Sequence, residues 1–280
     1  MADAGNKDGL ANILKVAIGM CLVCSVVVST AAVLLKPRQE VNKELDRKQN
    51  ILRAAGLLPE DSNRAADGRS VEQLFADFAV RAVDLDSGAY IDAVDVATFD
   101  PLRSARVPAL SRELPADQDI AVIGRRENVS LVYVVESDAG IEKLVLPVRG
   151  YGLWGTLFGY LALDGDLSTI AGLGFYQQKE TPGLGGEVDN SAWKALWPGV
   201  VIFDDAGHPA VRLVKTRSPA SSVEARYEVD ALSGATLTTR GVQNLVNFWT
   251  GELGFGPFLS ALRAESRAAS TAESQQESGR

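Results

Sequence analysis

Residues 16–35 (VAIGMCLVCSVVVSTAAVLL) form an uncharged run of 20 residues, and nothing else in the chain limits its fold as strongly. A helix of that length crosses the hydrocarbon core of a bilayer. No polar face interrupts the run to fit it to the surface of a soluble core. Lys15 and Lys36 bracket it and can snorkel to the two interfaces. The rival reading is a cleaved signal peptide, whose apolar region is usually about 7–15 residues long and ends in a small-x-small site. Ser29-Thr30-Ala31-Ala32 offers only a loose version of that site, so the run reads as a retained anchor. Cys21 and Cys24 have CxxC spacing but lie inside the span. There they lack the electropositive, partly exposed setting of a redox pair and read as small apolar fillers.

Charge bounds orientation and partners. Six basic residues (Lys36, Arg38, Lys43, Arg47, Lys48, Arg53) follow the run closely, against Lys7 and Lys15 before it. By the positive-inside rule this distribution keeps the large domain in the cytoplasm. A net charge of −8, with no basic stripe, argues against nucleic acid as a partner. Two cysteines and the single His208 rule out most metal frameworks from this chain alone, and no metal site is expected.

Beyond the anchor the sequence reads as one α+β domain on a stalk. Hydrophobic residues make up 46% and charged residues 23%, enough apolar material for a true core. Residues 37–58 are charged and helix-favouring, a solvated helix continuing from the span and ending near Gly56 and Pro59. Residues 60–70 are polar loop, and 71–80 suit a second short helix. Residues 82–110 show no clear pattern. Strands are expected at 120–123, 131–135, 141–148, 157–163 and 167–176, β-branched or aromatic runs separated by Gly, Asp or Asn. Residues 200–203 and 210–214 suggest a hairpin about Asp204-Asp205-Ala206-Gly207. Residues 223–229 read as a strand and 239–249 as the final helix. No Gly-x-Gly-x-x-Gly follows a first strand, which disfavours a Rossmann fold. The expected divisions are an N-terminal flank (1–15), a transmembrane helix (16–35), a stalk helix and linker (36–69), the α+β domain (70–262) and a disordered tail (263–280) poor in apolar residues.

Three short segments carry chemistry. The first is Asp230-Ala231-Leu232-Ser233-Gly234-Ala235-Thr236, at an expected strand-to-helix turn. Small residues there leave a threonine hydroxyl accessible, and a helix start offers unpaired N–H groups and partial positive charge that favour phosphate. Read plainly, it is a small-residue turn with a hydroxyl N-cap and no ligand. Thr238 and Thr239 are nearby hydroxyls, for which capping the backbone is the simpler role. The second segment is Glu180-Thr181-Pro182-Gly183-Leu184-Gly185-Gly186, a rigid turn where backbone can approach a ligand. The third is Gly150-Tyr151-Gly152-Leu153-Trp154-Gly155. Leu184 and Trp154 would give an isoalloxazine flat apolar contact, or Trp154 is core filling and both segments are plain turns.

Together these features have a known counterpart. The turn with its aspartate resembles the flavinylation motif, in which FMN is joined through its phosphate to the threonine ending Ser-Gly-Ala-Thr. The anchor with its charged helix, GYGLW, ETPGLGG and SGATLTT occur in an order that resembles the C subunit of bacterial Na⁺-translocating NADH:quinone oxidoreductases, over nearly the whole chain. The G subunit of the Rnf electron-transport complex is related but usually shorter. The resemblance implies a covalent FMN on Thr236, with Ser233, Gly234 and Ala235 completing the turn. Asp230 would be read by a flavin transferase that takes FMN from FAD, and Glu180, Thr181, Gly183, Leu184, Gly185 and Trp154 would lie about the flavin. Lys179 stands where the family commonly has histidine. The resemblance also implies an electron-relay subunit that turns over no substrate alone, receiving electrons from an iron–sulfur centre between the D and E subunits and passing them to FMN on the B subunit. It places the FMN domain on the periplasmic side of the inner membrane, against the basic-residue count. A membrane-anchored binding or assembly module with an unmodified turn is the reading from a different class.

Overall fold

The structure, a computed structural model, describes residues 9–137 and 140–278. Residues 1–8 of the expected N-terminal flank, Lys7 among them, and the last two residues of the tail lie outside these. The chain divides into two compact units, residues 1–47 and 48–280. In the first, the described residues belong almost wholly to helix α1 (Leu10–Ala54). Its apolar part is long and apolar enough to cross a membrane and buries none of its surface within the protein.

The second unit takes in the end of α1 and runs α2 (Val71–Phe75), β1 (Phe78–Asp84), β2 (Tyr90–Ile91), α3 (Pro101–Ser104), β3 (Ser111–Glu113), β4 (Arg125–Glu127), β5 (Val129–Ser137), β6 (Gly140–Tyr151), β7 (Thr156–Asp164), β8 (Ile170–Gln177), α4 (Ser191–Lys194), β9 (Arg212–Val214), β10 (Glu228–Asp230), α5 (Thr236–Thr250) and α6 (Gly256–Ser278). One antiparallel sheet, ordered β2-β1-β5-β6-β7-β8, organises it. Register aligns apolar side chains across strands: Val134 opposes Leu144, Leu144 opposes Leu163, and Leu146 opposes Leu161, which opposes Leu173. This face joins Val242, Leu245, Val246 and Trp249 of α5 in the main core. Its opposite face carries Tyr133, Val145 and Ala162, also buried, and Ile51, Leu52 and Ala54 at the end of α1 are buried too. Because both faces are covered, the central strands read as near-continuous apolar runs, which made them legible.

Several local expectations give way to longer-range pairing. Residues 71–80 are not one helix. A capping box between Ser70 and Gln73 starts α2, but Phe78 already pairs with Val135 in the sheet. Residues 120–123 form a turn, because the Asp119 carboxylate accepts the Ile123 and Gly124 amides at 3.0 and 2.7 Å. Around Asp204–Gly207 the hairpin shrinks to a single bridge, Phe203 to Pro209, where proline cannot donate to a ladder. β9 pairs instead with β10, in parallel. Most of 223–229 is a 3₁₀ turn (Glu224–Tyr227), entered where the Ser222 hydroxyl accepts the Ala225 amide at 3.3 Å. The final domain helix begins at Thr236, three residues earlier than expected. Residues 263–278 continue α6 instead of forming a disordered tail. Phe258 and Leu259 pack its start, and the Ala, Glu, Gln and Arg that follow propagate a helix well.

Candidate functional site

The sheet and α5 bring the three sequence segments to one place. β6 and β7 pair as far as Tyr151 and Thr156, so residues 152–155 are a four-residue hairpin loop, closed by the Gly152 amide donating to the Gly155 carbonyl at 2.9 Å. Leu153 and Trp154 stand at its tip, and Trp154 is 63% exposed, which rules out core filling. After β8 the chain turns at Pro182 and Gly183, where the Gly186 amide donates to the Thr181 carbonyl at 2.9 Å. Leu184 projects from this turn, 44% exposed.

The third segment joins β10 to α5. Gly234 has φ +72°, a left-handed conformation that glycine adopts without strain, and a Cβ there would lie 3.0 Å from Leu184 Cδ2. Leu184 therefore stands against the Ser-Gly-Ala-Thr turn. Ser233, Gly234 and Thr236 are exposed, and Ala235 is buried beneath them. Thr236 is the first residue of α5 and Ala235 its N-cap, so no side chain caps the helix. The first amides of α5 thus lack an intrahelical partner and carry the positive end of the helix dipole. Asp230 serves the fold through its backbone carbonyl, which accepts Trp193 Nε1 at 2.9 Å.

Of the other two threonines, Thr238 departs from the backbone-capping role read from sequence, whereas Thr239 does accept a backbone amide, one that precedes α5. Thr238 is fully buried and its hydroxyl donates to Glu180 Oε2 at 2.5 Å. Thr239 is buried, with its hydroxyl accepting the Leu232 amide at 3.1 Å. Alanine at Thr238 is therefore expected to cost about 1–3 kcal/mol, more than a lost surface cap, because it strips a buried carboxylate of a donor; urea denaturation of Thr238→Ala checks this. Of the expected flavin contacts, Thr181, Gly183, Leu184 and Trp154 are exposed, whereas Glu180 and Gly185 are buried below them. Leu237, next to Thr236, and Tyr151, at the end of β6 before the hairpin loop, are also exposed apolar residues, at 53% and 42%, that the sequence reading did not single out. Lys179 lies against the hairpin loop, where a Cβ on Gly155 would meet its Cδ at 3.3 Å.

An exposed threonine at a helix start without a side-chain cap, in a turn against Leu184 and tied through Glu180 to the loop that carries exposed Leu153 and Trp154, fits a flat ring system with a phosphate tail. That is the class of an FMN-binding domain, and the FMN-binding domain family matches residues 152–251, a stretch holding Trp154, Glu180 and Thr236. The C subunit of Na⁺-translocating NADH-quinone reductase from Pseudomonas aeruginosa is 51% identical over 259 residues, covering 92% of this chain and 98% of the relative. Its counterpart from Yersinia pestis is 47% identical over 260 residues, covering 92% and 95%. The crystal structure of Shewanella oneidensis NqrC matches with a TM-score of 0.70 at 36% identity, over 80% of this chain and 99% of that one. The chain belongs to the NqrC family, the C subunits of Na⁺-translocating NADH-quinone reductases.

Proposed function

We propose that this chain is the electron-relay subunit of a membrane NADH:quinone reductase and carries FMN through a phosphoester bond to the Thr236 hydroxyl, relaying electrons from an iron–sulfur centre to the flavin of the B subunit. One observation supports the reading: of the three threonines at the start of α5, only Thr236 is exposed, in a turn whose Gly234 lies against Leu184. FMN, when bound, supplies a carrier that accepts electrons singly or in pairs. The chain's own residues do the rest. Thr236 holds the phosphate at the positive end of α5, where negative charge is favoured. Leu184 and Trp154 offer flat apolar surface that excludes water from a ring system. Asp230 is the residue that the flavin transferase reads. No general base or nucleophile is needed for a relay. Ultraviolet illumination of a denaturing gel tests the reading. The band is expected to fluoresce, and a dark band from cells containing the transferase means an unmodified module.

Two further results are expected. Asp230→Ala lowers the flavin-to-protein ratio without unfolding the domain, since the fold uses the Asp230 backbone; absorbance of the purified protein reads this, and an unchanged ratio removes the recognition role. The apolar part of α1 stays in the mature protein, and the domain lies on the periplasmic side, because large domains translocate largely regardless of flanking charge. Periplasm-dependent reporters fused after residue 60 and at the C-terminus are expected to be active. Activity only from cytoplasm-dependent reporters reverses the orientation and upholds the basic-residue count.

A further inference from the structure

One buried carboxylate bonds the three segments of the site together. Glu180 is 5% exposed. Its Oε1 accepts the Leu153 and Trp154 amides at 3.0 and 2.9 Å, both from the hairpin loop. Its Oε2 accepts the Thr238 hydroxyl, in the first turn of α5, at 2.5 Å. The Glu180 amide in turn donates to Gln178 Oε1 at 2.5 Å, and Gln178 Nε2 donates to Asp189 Oδ2 at 2.9 Å. Glycines make room for this carboxylate. A Cβ on Gly152 would fall 2.6 Å from Oε1, and one on Gly185 would fall 2.6 Å from Oε2 and 2.5 Å from Thr238 Oγ1. Both carboxylate oxygens are thus engaged inside the protein.

Charge-assisted bonds of this kind are about twice as strong as neutral ones, and a low-dielectric site makes their loss costly. They matter most for the hairpin loop, whose flanking residues Gly152 and Gly155 lend it no stiffness of their own. With Leu153 and Trp154 held by their amides, their side chains are left to point outward, as their exposure shows.

We propose that Glu180 and Thr238 act as a positioning pair, locking the Leu153-Trp154 loop to the start of α5 and so fixing the apolar wall against which the ring on Thr236 rests. The proposal rests on the FMN reading for its consequence, but not for the lock itself. It gives Glu180 no contact with the ring, and it occupies the one hydroxyl, Thr238, that lies two residues from the attachment point.

The test uses the full-length chain, made with and without the flavin transferase. In flavin-free Thr236→Val protein, adding Glu180→Ala is expected to speed hydrogen exchange of the Leu153 and Trp154 amides about tenfold or more, and Thr238→Val severalfold, with Thr238→Ser restoring the slow rate. In flavin-loaded protein, Thr238→Val is expected to raise quenching of the flavin by acrylamide about two- to threefold, with FMN still on Thr236 and Thr238→Ser normal. If Glu180→Ala does not fold, the Thr238→Val and Thr238→Ser pair decides the matter. Unchanged exchange in Thr238→Val overturns the lock. Faster exchange with unchanged quenching overturns the positioning role. A wild-type protein without covalent flavin overturns the FMN reading instead, and the exchange rates still settle the lock.

Discussion

Thr236→Val is expected to abolish covalent FMN completely while the domain stays folded. Valine keeps the β-branched shape and side-chain rotamer preference of threonine and removes only the hydroxyl. Thr236 is exposed, and its side chain caps nothing, so stability is expected to change by no more than about 0.5 kcal/mol. Neither neighbouring threonine can take over. Thr238 is fully buried with its hydroxyl committed to Glu180, and Thr239 is buried against the Leu232 amide. A phosphate carrying a three-ring system cannot reach either without unwinding the first turn of α5. Flavin fluorescence on a denaturing gel, together with the melting curve, checks both halves of the expectation. A fluorescent Thr236→Val band removes the site assignment, and an unfolded dark one removes the claim that Thr236 is dispensable to the fold.

Glu127→Ala is expected to cost about 3–5 kcal/mol, the range for breaking one side of a buried ion pair. Glu127 accepts Arg149 Nη1 at 3.0 Å and Nη2 at 2.5 Å, with both side chains nearly inaccessible. Arg149 also donates to the Arg125 carbonyl at 3.1 Å and lies 5.1 Å from the centre of the Trp249 ring, whose Nε1 donates to the Arg149 carbonyl at 2.7 Å. Removing Glu127 leaves a guanidinium in the core with only a carbonyl and a ring face. For a domain of this size the loss corresponds to a fall in Tm on the order of 10 °C. Arg149 lies near the end of β6, shortly before Gly152, so disorder there reaches the hairpin loop of the site. A double variant, Glu127→Leu with Arg149→Met, is expected to recover most of the stability, because replacing a whole buried pair by apolar side chains is often neutral. A small change in Tm for Glu127→Ala alone contradicts this reading of the network.

What could be read from the sequence follows from the range of the forces involved. Strands β5 to β8 were legible because both their faces are buried, so burial wrote itself into contiguous apolar runs. Residues 120–123 are as apolar, and 223–229 hold apolar residues among three charged ones, but both yield to nearby side chains, Asp119 and Ser222, that bond the backbone into turns. The end of the chain misled in the other direction. Few apolar residues there suggested disorder, yet its alanines and long polar side chains favour helix once α6 has been started by packed residues. In the candidate site, the exposure of Thr236, Leu184 and Trp154 was legible from local composition, since each lies in or next to a glycine-containing turn. The Glu180–Thr238 pair was not. Its partners are 58 residues apart, and a single hydrogen bond between buried polar groups leaves no periodic trace in a sequence. Glu180 lies in the same loop as Leu184 but is buried, at 5% exposure.

The central claim is that the attachment point is Thr236, and peptide mass spectrometry across residues 227–240 tests it most directly. Protein purified from cells containing the flavin transferase is expected to carry one FMN-sized increment, localised by fragmentation to Thr236 and absent from Thr236→Val. An unmodified wild-type peptide, or an increment localised to Ser233, Thr238 or Thr239, contradicts the account.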